Sequence, residues 1–530
     1  WYHARKFLRR YWLPVAAAML VLASLSVGLY IANHERAIAQ RRFIDVRQLA
    51  NKLFDIDVQV RGLSGSTKTR QLIVDTSLEY LRRLAADARG DPDLALEVGN
   101  AYMRVARVQG VPISANLGQM DQADQNLRVA EKLMQFVLAS QPRNRTAMLR
   151  SAQIAHDRML IARLSGRDDE AMALARRSAG WLEMFHAGKS DVSEATAVLS
   201  TYLNVADQHV FGRQYDDALR LSRRASEISR AFGHRSYLGT FRWVSAEVFR
   251  RQGNLDEALK EISESVRQLD FGPAHPEQPV RMNFAFALIK EGSILGEYDA
   301  VSLGRFEEAA GVLEHAFRIA DDFAHRDADD QDSRGRLALA GIGLGHLLLR
   351  SDPVGSLAIY DHTLRHMAEI RANSSFRRYE ASALAGSSYA LRRLGRPAEA
   401  KQRLDAAFER LAQAKLYPAE KITVGLEADQ TLRALAEYEA GNGNLRRAIE
   451  IYQKLLDGIQ AARPDPETDL TEAVRLSSIY RAAAVLHRRA GEADLADILD
   501  SRRLDLWQQW DRKLAQNVFV RRQLEAASLP

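Results

Sequence analysis

The sequence predicts an all-α chain, a solenoid of helical repeats preceded by a single membrane-spanning helix. Three observations predict it. Residues 11–32, YWLPVAAAMLVLASLSVGLYIA, carry no charge and are almost wholly apolar. A glycine followed five residues later by an alanine recurs along the chain. Apolar residues recur at helical spacing before each of these glycines and after each alanine.

The first element is the apolar run. At about 1.5 Å of rise per residue its length reaches about 33 Å, enough for the hydrocarbon core of a bilayer. Tyr11, Trp12 and Tyr30 stand near its ends, where amphipathic rings prefer the interface. A secretory signal peptide is the rival reading, because Ala37-Ile38-Ala39 has the small-x-small form of a cleavage site. That site lies beyond Glu35 and Arg36, too far from a run that is already too long. Arg5, Lys6, Arg9 and Arg10 before the span, against Arg36, Arg41 and Arg42 after it, favour a cytoplasmic N-terminus. The chain starts at Trp1, and a further N-terminal part is expected upstream.

The next element, residues 43–63, places Val46, Leu49, Leu53, Ile56, Val60 and Leu63 at alternating spacings of three and four. Such a seam packs on the following helix or joins two chains as a homodimer, with Val46, Leu49, Leu53, Ile56 and Val60 as the contact.

The repeats follow. The pairs are Gly118 with Ala123, Gly166 with Ala171, Gly253 with Ala258, Gly304 with Ala309, Gly395 with Ala400, Gly443 with Ala448 and Gly491 with Ala496. Gly212 with Ala218 is the same signal stretched by one residue, and a degenerate unit runs from Asp352-Pro353 to Ala358. The glycine ends one helix in a conformation other residues resist. Acidic residues such as Asp256 and Glu257 suit the first turn of the next helix, and the alanine is small where two helices meet. This recurring unit resembles the tetratricopeptide repeat, with Pro142 as a closing residue. Its mean period of about 47 residues exceeds the standard 34, so longer helices or connections are expected, one of them marked by Pro273, Pro276 and Pro279. Stacked units give a superhelix with a concave face. The expected layout is a basic flank at 1–10, the span at 11–32, juxtamembrane helices at 33–90, the tetratricopeptide-like array at 91–500 and a capping helix at 501–530.

Composition excludes some functions. With 46% hydrophobic and 27% charged residues the chain has enough for a large core and a solvated surface. Having no cysteine, it has no disulfide, thiolate catalysis or cysteine metal site. A net charge of +6 over 530 residues, without a basic block, gives no reason to expect nucleic acid.

Further residues resemble a known group. These are Arg41-Arg42-Phe43, Asp45 to Asn51, Leu63 to Thr67, Ser77-Leu78-Glu79-Tyr80-Leu81, Gln109-Gly110 and Asn116-Leu117-Gly118, with Leu506 to Asp511 and Phe519 to Gln523 at the end. Together they resemble the region C-terminal to the catalytic domain in bacterial transmembrane serine/threonine protein kinases that carry tetratricopeptide repeats. The resemblance implies the sensor or scaffold half of a receptor-type kinase, in the bacterial inner membrane as a single-pass protein with the array outside the cytoplasm. It implies protein or peptide partners and no catalytic site here; ATP and Mg would belong only to an upstream kinase domain. A membrane-bound transcription regulator and a non-enzymatic envelope scaffold share the layout and stay open.

Several motifs are decoys. Asp270-Phe271-Gly272 and His325-Arg326-Asp327 copy two kinase words in reversed order, with Asp329 and Asp332 where Lys and Asn belong. Gly341, Gly343 and Gly345 lie in an apolar helix and read as close packing rather than a phosphate loop. His362 and His366 have metal-ligand spacing, but Thr363 replaces the required Glu, so they read as a surface pair and no metal is expected. One periodic feature remains as a partner-binding candidate. Arg163, Arg250, Arg392 and Arg488 each stand three residues before a turn glycine, doubled by Arg251, Arg393 and Arg489. They form either a basic stripe facing the groove or cations that offset the helix dipole.

Overall fold

The computed structural model describes residues 67–112, 116–185, 190–272, 278–326, 330–370 and 375–528, together with Ser24 and Ser26. Helix α1 (Thr67–Asp87) leads into nine helix pairs. The first four are α2 (Pro92–Gln109) with α3 (Met120–Ser140), α4 (Arg145–Leu164) with α5 (Asp168–Phe185), α6 (Val192–Phe211) with α7 (Tyr215–Ala231), and α8 (Arg235–Arg251) with α9 (Leu255–Leu269). Next come α10 (Gln278–Leu295) with α11 (Phe306–Arg326), α12 (Gln331–Leu348) with α13 (Pro353–Ala368), and α14 (Tyr379–Arg393) with α15 (Pro397–Gln413). The last are α16 (Glu427–Gly441) with α17 (Leu445–Ala461) and α18 (Leu470–Arg489) with α19 (Ala493–Lys513), followed by α20 (Val518–Ser528). The described chain is an all-α, tetratricopeptide-like repeat solenoid.

The turns explain the repeat signal. Gly118, Gly166, Gly253, Gly304, Gly395, Gly443 and Gly491 all have φ between +67° and +86°, the left-handed region glycine occupies without steric cost. In the stretched unit the left-handed residue is Arg213 (φ 59°), with Gly212 at φ −78°. The spacing of five to Ala218 is therefore kept, and an arginine takes the strained position. The closure is shared: the N–H groups of Arg167, Gln214, Asn254, Arg396, Asn444 and Glu492 each donate to the carbonyl five residues back at 2.8–2.9 Å. Ala123, Ala171, Ala218, Ala258, Ala309, Ala400, Ala448 and Ala496 are all wholly buried. In the degenerate unit the buried small residue is Ser356, whose hydroxyl donates to Gly345 O at 2.6 Å, while Ala358 is exposed. The glycines of α12 admit neighbours, since a Cβ at 341 would lie 2.1 Å from Thr363 Oγ1 and one at 345 would lie 2.8 Å from the Tyr360 ring.

The array bends until its end meets its third, fourth and fifth pairs. Arg213 contacts Asp465 (3.0 Å), Asp469 (3.5 Å) and Glu472 (2.9 Å). Asn517 Nδ2 donates to Gly253 O at 2.8 Å, and Arg522 donates to Leu303 O (2.8 Å) and Ser302 O (2.6 Å). Between these polar contacts Leu255 and Val301 share an apolar cluster with Leu470, Val474, Trp507 and Phe519. Trp507 is wholly buried and donates from Nε1 to Ser477 Oγ at 2.8 Å. The superhelix is closed by a seam.

The expectation of a transmembrane helix is corrected. Among the described residues no helix is long and apolar enough to cross a membrane. The less polar ones still carry charge: α6 holds Glu194 and Asp207, and α10 holds Arg281, Lys290 and Glu291. The run 11–32 lies outside the described residues, apart from Ser24 and Ser26, which are helical. The single-pass inner-membrane localisation is withdrawn with it. The seam formed by Val46, Leu49, Leu53, Ile56 and Val60 also lies outside the described residues.

Candidate functional site

The closed array surrounds a cavity of about 860 Å³ on its inner side. Its walls come from the first helices of the last repeats, α12, α14, α16 and α18, and from the loop that holds Glu297, Tyr298 and Asp299. Glycines make room for its cations. Gly425 (φ 82°) lies where a Cβ would meet the Arg475 guanidinium at 2.3 Å, and Gly441 admits Arg392 Nη2 at 2.8 Å.

Charge sets the chemistry of this space. Arg350, Arg392, Arg393, Arg433, Arg475 and Arg481 line it, against the carboxylates of Glu297, Asp299, Asp429 and Glu437. Asp299, held at φ 52°, accepts from Arg433 (2.9 Å) and Arg481 (3.2 Å). Burial alone would raise its carboxyl, but the two arginines outweigh burial and hold it below the usual range. At Asp429 and Glu437 burial wins and pushes both carboxyls up. Asp429 takes the Gly425 N–H at 2.5 Å, and its Oδ1 has no hydrogen-bond partner. Burial also lowers the Arg475 guanidinium and the His346 imidazole. Arg475 reaches Val424 O at 3.4 Å, and Arg392 reaches Glu437 at 3.9 Å. The cavity therefore has more cationic than anionic groups, and some of those cations are loosely paired. Guanidinium groups so placed suit a carboxylate or another planar anion, which they grip through two parallel hydrogen bonds.

The arginines expected from the sequence fall in different places. Arg392 and Arg393 line the cavity. Arg250 is buried, donating to Val301 O (2.8 Å) and Glu297 (2.7 Å). Arg251 binds Glu247 at 3.0 Å and lies 3.7 Å from Asp469. Arg163 pairs with Asp207 at 3.3 Å and lies over the Phe211 ring. Arg488 pairs with Asp500, and Arg489 donates to Ala440 O at 3.2 Å. Sequence reasoning missed Arg433, Arg475, Arg481 and Asp299. The glycine at 441, the last residue of α16 and opposite Arg392, was the one local trace of a crowded cation at this wall.

Comparison with solved structures finds helical-repeat proteins. A Rap protein complexed with Competence and Sporulation Factor aligns over 81% of this chain and 99% of its own, at 12% identity and a TM-score of 0.43. The apo form of RapI aligns over 78% and 98%, at 14% identity and a TM-score of 0.45. NprR in complex with its cognate peptide NprX aligns over 70% and 95%, at 12% identity and a TM-score of 0.39. No family model and no curated protein matches the sequence.

Proposed function

We propose that the repeat array is a protein-interaction module whose inner cavity receives an acidic segment or a terminal carboxylate of a partner. The observation that carries this is the excess of arginines over carboxylates on the cavity wall, with Arg392 and Arg393 at the ends of first helices. A cavity of about 860 Å³ falls within the range that holds a compact ligand or several side chains of a peptide. Burial raises the Asp429 and Glu437 carboxyls, which lessens their opposition to an incoming anion.

The test is fluorescence anisotropy with a labelled acidic heptapeptide and a basic peptide of equal length. The acidic peptide is expected to bind, and the Arg392→Glu/Arg393→Glu double variant to weaken it at least tenfold, about 1.4 kcal/mol. Equal binding of both peptides, or an unchanged double variant, refutes the reading.

A finer reading makes this module the partner-binding part of a signalling serine/threonine protein kinase. Ser77 to Leu81, Leu506 to Asp511 and Phe519 to Gln523 favour it. Coding sequence upstream of Trp1 with a glycine-rich loop, a strand lysine, HRD and DFG in that order supports this reading. A different upstream frame removes it.

A further inference from the structure

His362 and His366 lie one turn apart on α13, and the sequence reads them as a surface pair. His366 is instead only 8% exposed. Both face α11, the second helix of the preceding repeat, where Asp321 and His325 are also one turn apart. Three imidazoles converge on one carboxylate oxygen: His362 Nε2 stands 2.7 Å from Asp321 Oδ1, His366 Nε2 3.2 Å and His325 Nδ1 3.2 Å. The ring centroids of His325 and His366 are 4.8 Å apart, and those of His362 and His366 are 5.1 Å apart.

The geometry points to a divalent transition-metal site of the zinc class, held by Asp321, His325 and His366, with His362 hydrogen-bonded to Asp321 beside them. His325 Nδ1 also lies 2.9 Å from the Asp321 backbone carbonyl, a bond it would exchange for the metal, while His362 and His366 both approach Asp321 Oδ1. Tetrahedral ligands about 2.0–2.1 Å from zinc stand about 3.3 Å from one another. The separations of His325 and His366 from Asp321 Oδ1 approach that figure, and the ligand atoms of the three residues all lie within 4.8 Å of one another.

The surroundings suit the purpose. Glu369 Oε2 lies 3.5 Å from His366 Nδ1, which has no hydrogen-bond partner, and Arg334 grips the same oxygen at 2.6 and 3.0 Å. Drawn in to hydrogen-bond distance, a carboxylate on this side of the ring would present the other nitrogen to a metal. Phe317 covers one side of His362, with its ring centroid 5.4 Å away. Arg365 lies 3.3 Å from His362 Nδ1, but it is exposed and free to turn outward. A bound ion would staple the second helices of two consecutive repeats. Because Tyr360 on α13 lines the cavity, it would also stiffen that wall.

The test uses the full chain without a histidine tag, stripped by chelator and titrated calorimetrically with ZnCl2, with MgCl2 as control. One Zn2+ per chain, a Tm raised by several degrees and no response to Mg2+ are expected. His325→Gln and His366→Gln should each weaken binding at least tenfold. The His325 side chain is 61% exposed, so the first variant keeps the fold and remains decisive where the second does not. No zinc binding by the wild type, or binding unchanged in His325→Gln, overturns the site.

Discussion

Arg213 Nη2 donates to Glu472 Oε1 at 2.9 Å, joining points 259 residues apart in the chain. The same guanidinium reaches Asp465 at 3.0 Å and Asp469 at 3.5 Å, and Asp469 also accepts the N–H groups that begin α18. Arg213 does this from a left-handed backbone, which costs a residue with a side chain about 1–2 kcal/mol. At this turn an arginine, rather than the glycine used at neighbouring turns, supplies the cation of the seam.

Two variants separate backbone from side chain at this point. Arg213→Gly removes the strain and the ion pairs together, whereas Arg213→Ala removes the ion pairs and keeps the strain. Both should be less stable than wild type in urea denaturation, with Arg213→Ala lower than Arg213→Gly by about 1 kcal/mol. Small-angle scattering should show a larger radius of gyration for both as the seam loosens. Wild-type dimensions in both would mean that the apolar cluster alone closes the array.

Glycine substitutions test the same seam from its other side. Gly253 and Gly443 are both left-handed, at φ 77° and 86°, so alanine at either costs about 1–2 kcal/mol. A Cβ at 443 meets open space, but one at 253 would lie 2.9 Å from Leu470 Cδ2 and 3.2 Å from Leu514 Cδ1. Gly253→Ala should therefore be the less stable variant, and a reversed order would count against close packing at the seam.

Acid should weaken the chain partly through Glu247. Burial acts to raise this carboxyl, but Lys290 (3.6 Å), Arg250 (3.6 Å) and Arg251 (3.0 Å) outweigh it and hold the group far below the usual range. A carboxyl depressed in the folded state stabilises fully above its unfolded value of about 4.3, and that stabilisation fades as pH falls below it. Glu247→Gln should lose about 3 kcal/mol at neutral pH, and the gap to wild type should narrow between about pH 4.5 and pH 3. Thermal melts across that window provide the measurement; a constant gap would show that Glu247 acts by shape.

At the cavity, Asp429→Asn removes a buried negative charge while leaving an oxygen for the Gly425 N–H. Affinity for the acidic heptapeptide should rise roughly threefold, the opposite sign to the arginine variants. A decrease in anisotropy-measured affinity would place the peptide elsewhere.

The repeat signal was legible because it is local. Ala123 through Ala496 are buried where the spacing places them, since each glycine turn sets the next helix against its predecessor. Where the turn residue changed, as at Arg213, the spacing of five survived and only the residue type misled, and in the degenerate unit Ser356 took the buried place expected of Ala358. The cavity was not legible. Asp299 stands more than a hundred residues from both Arg433 and Arg481, and no periodic pattern links it to them. The His362 and His366 pair was visible, but Asp321 and His325 belong to the preceding unit, so half of that cluster lay in another stretch of sequence.

The seam also fixes how many units the chain contains. An open array lengthens or shortens by whole repeats with little consequence, because each unit touches only its neighbours. Here an added or deleted helix pair between Gly304 and Asp465 would carry Glu472 away from Arg213 and Arg522 away from Ser302. From its third pair onward the chain behaves as a loop of set circumference, in which loss of a unit between Gly304 and Asp465 breaks the contact that closes it.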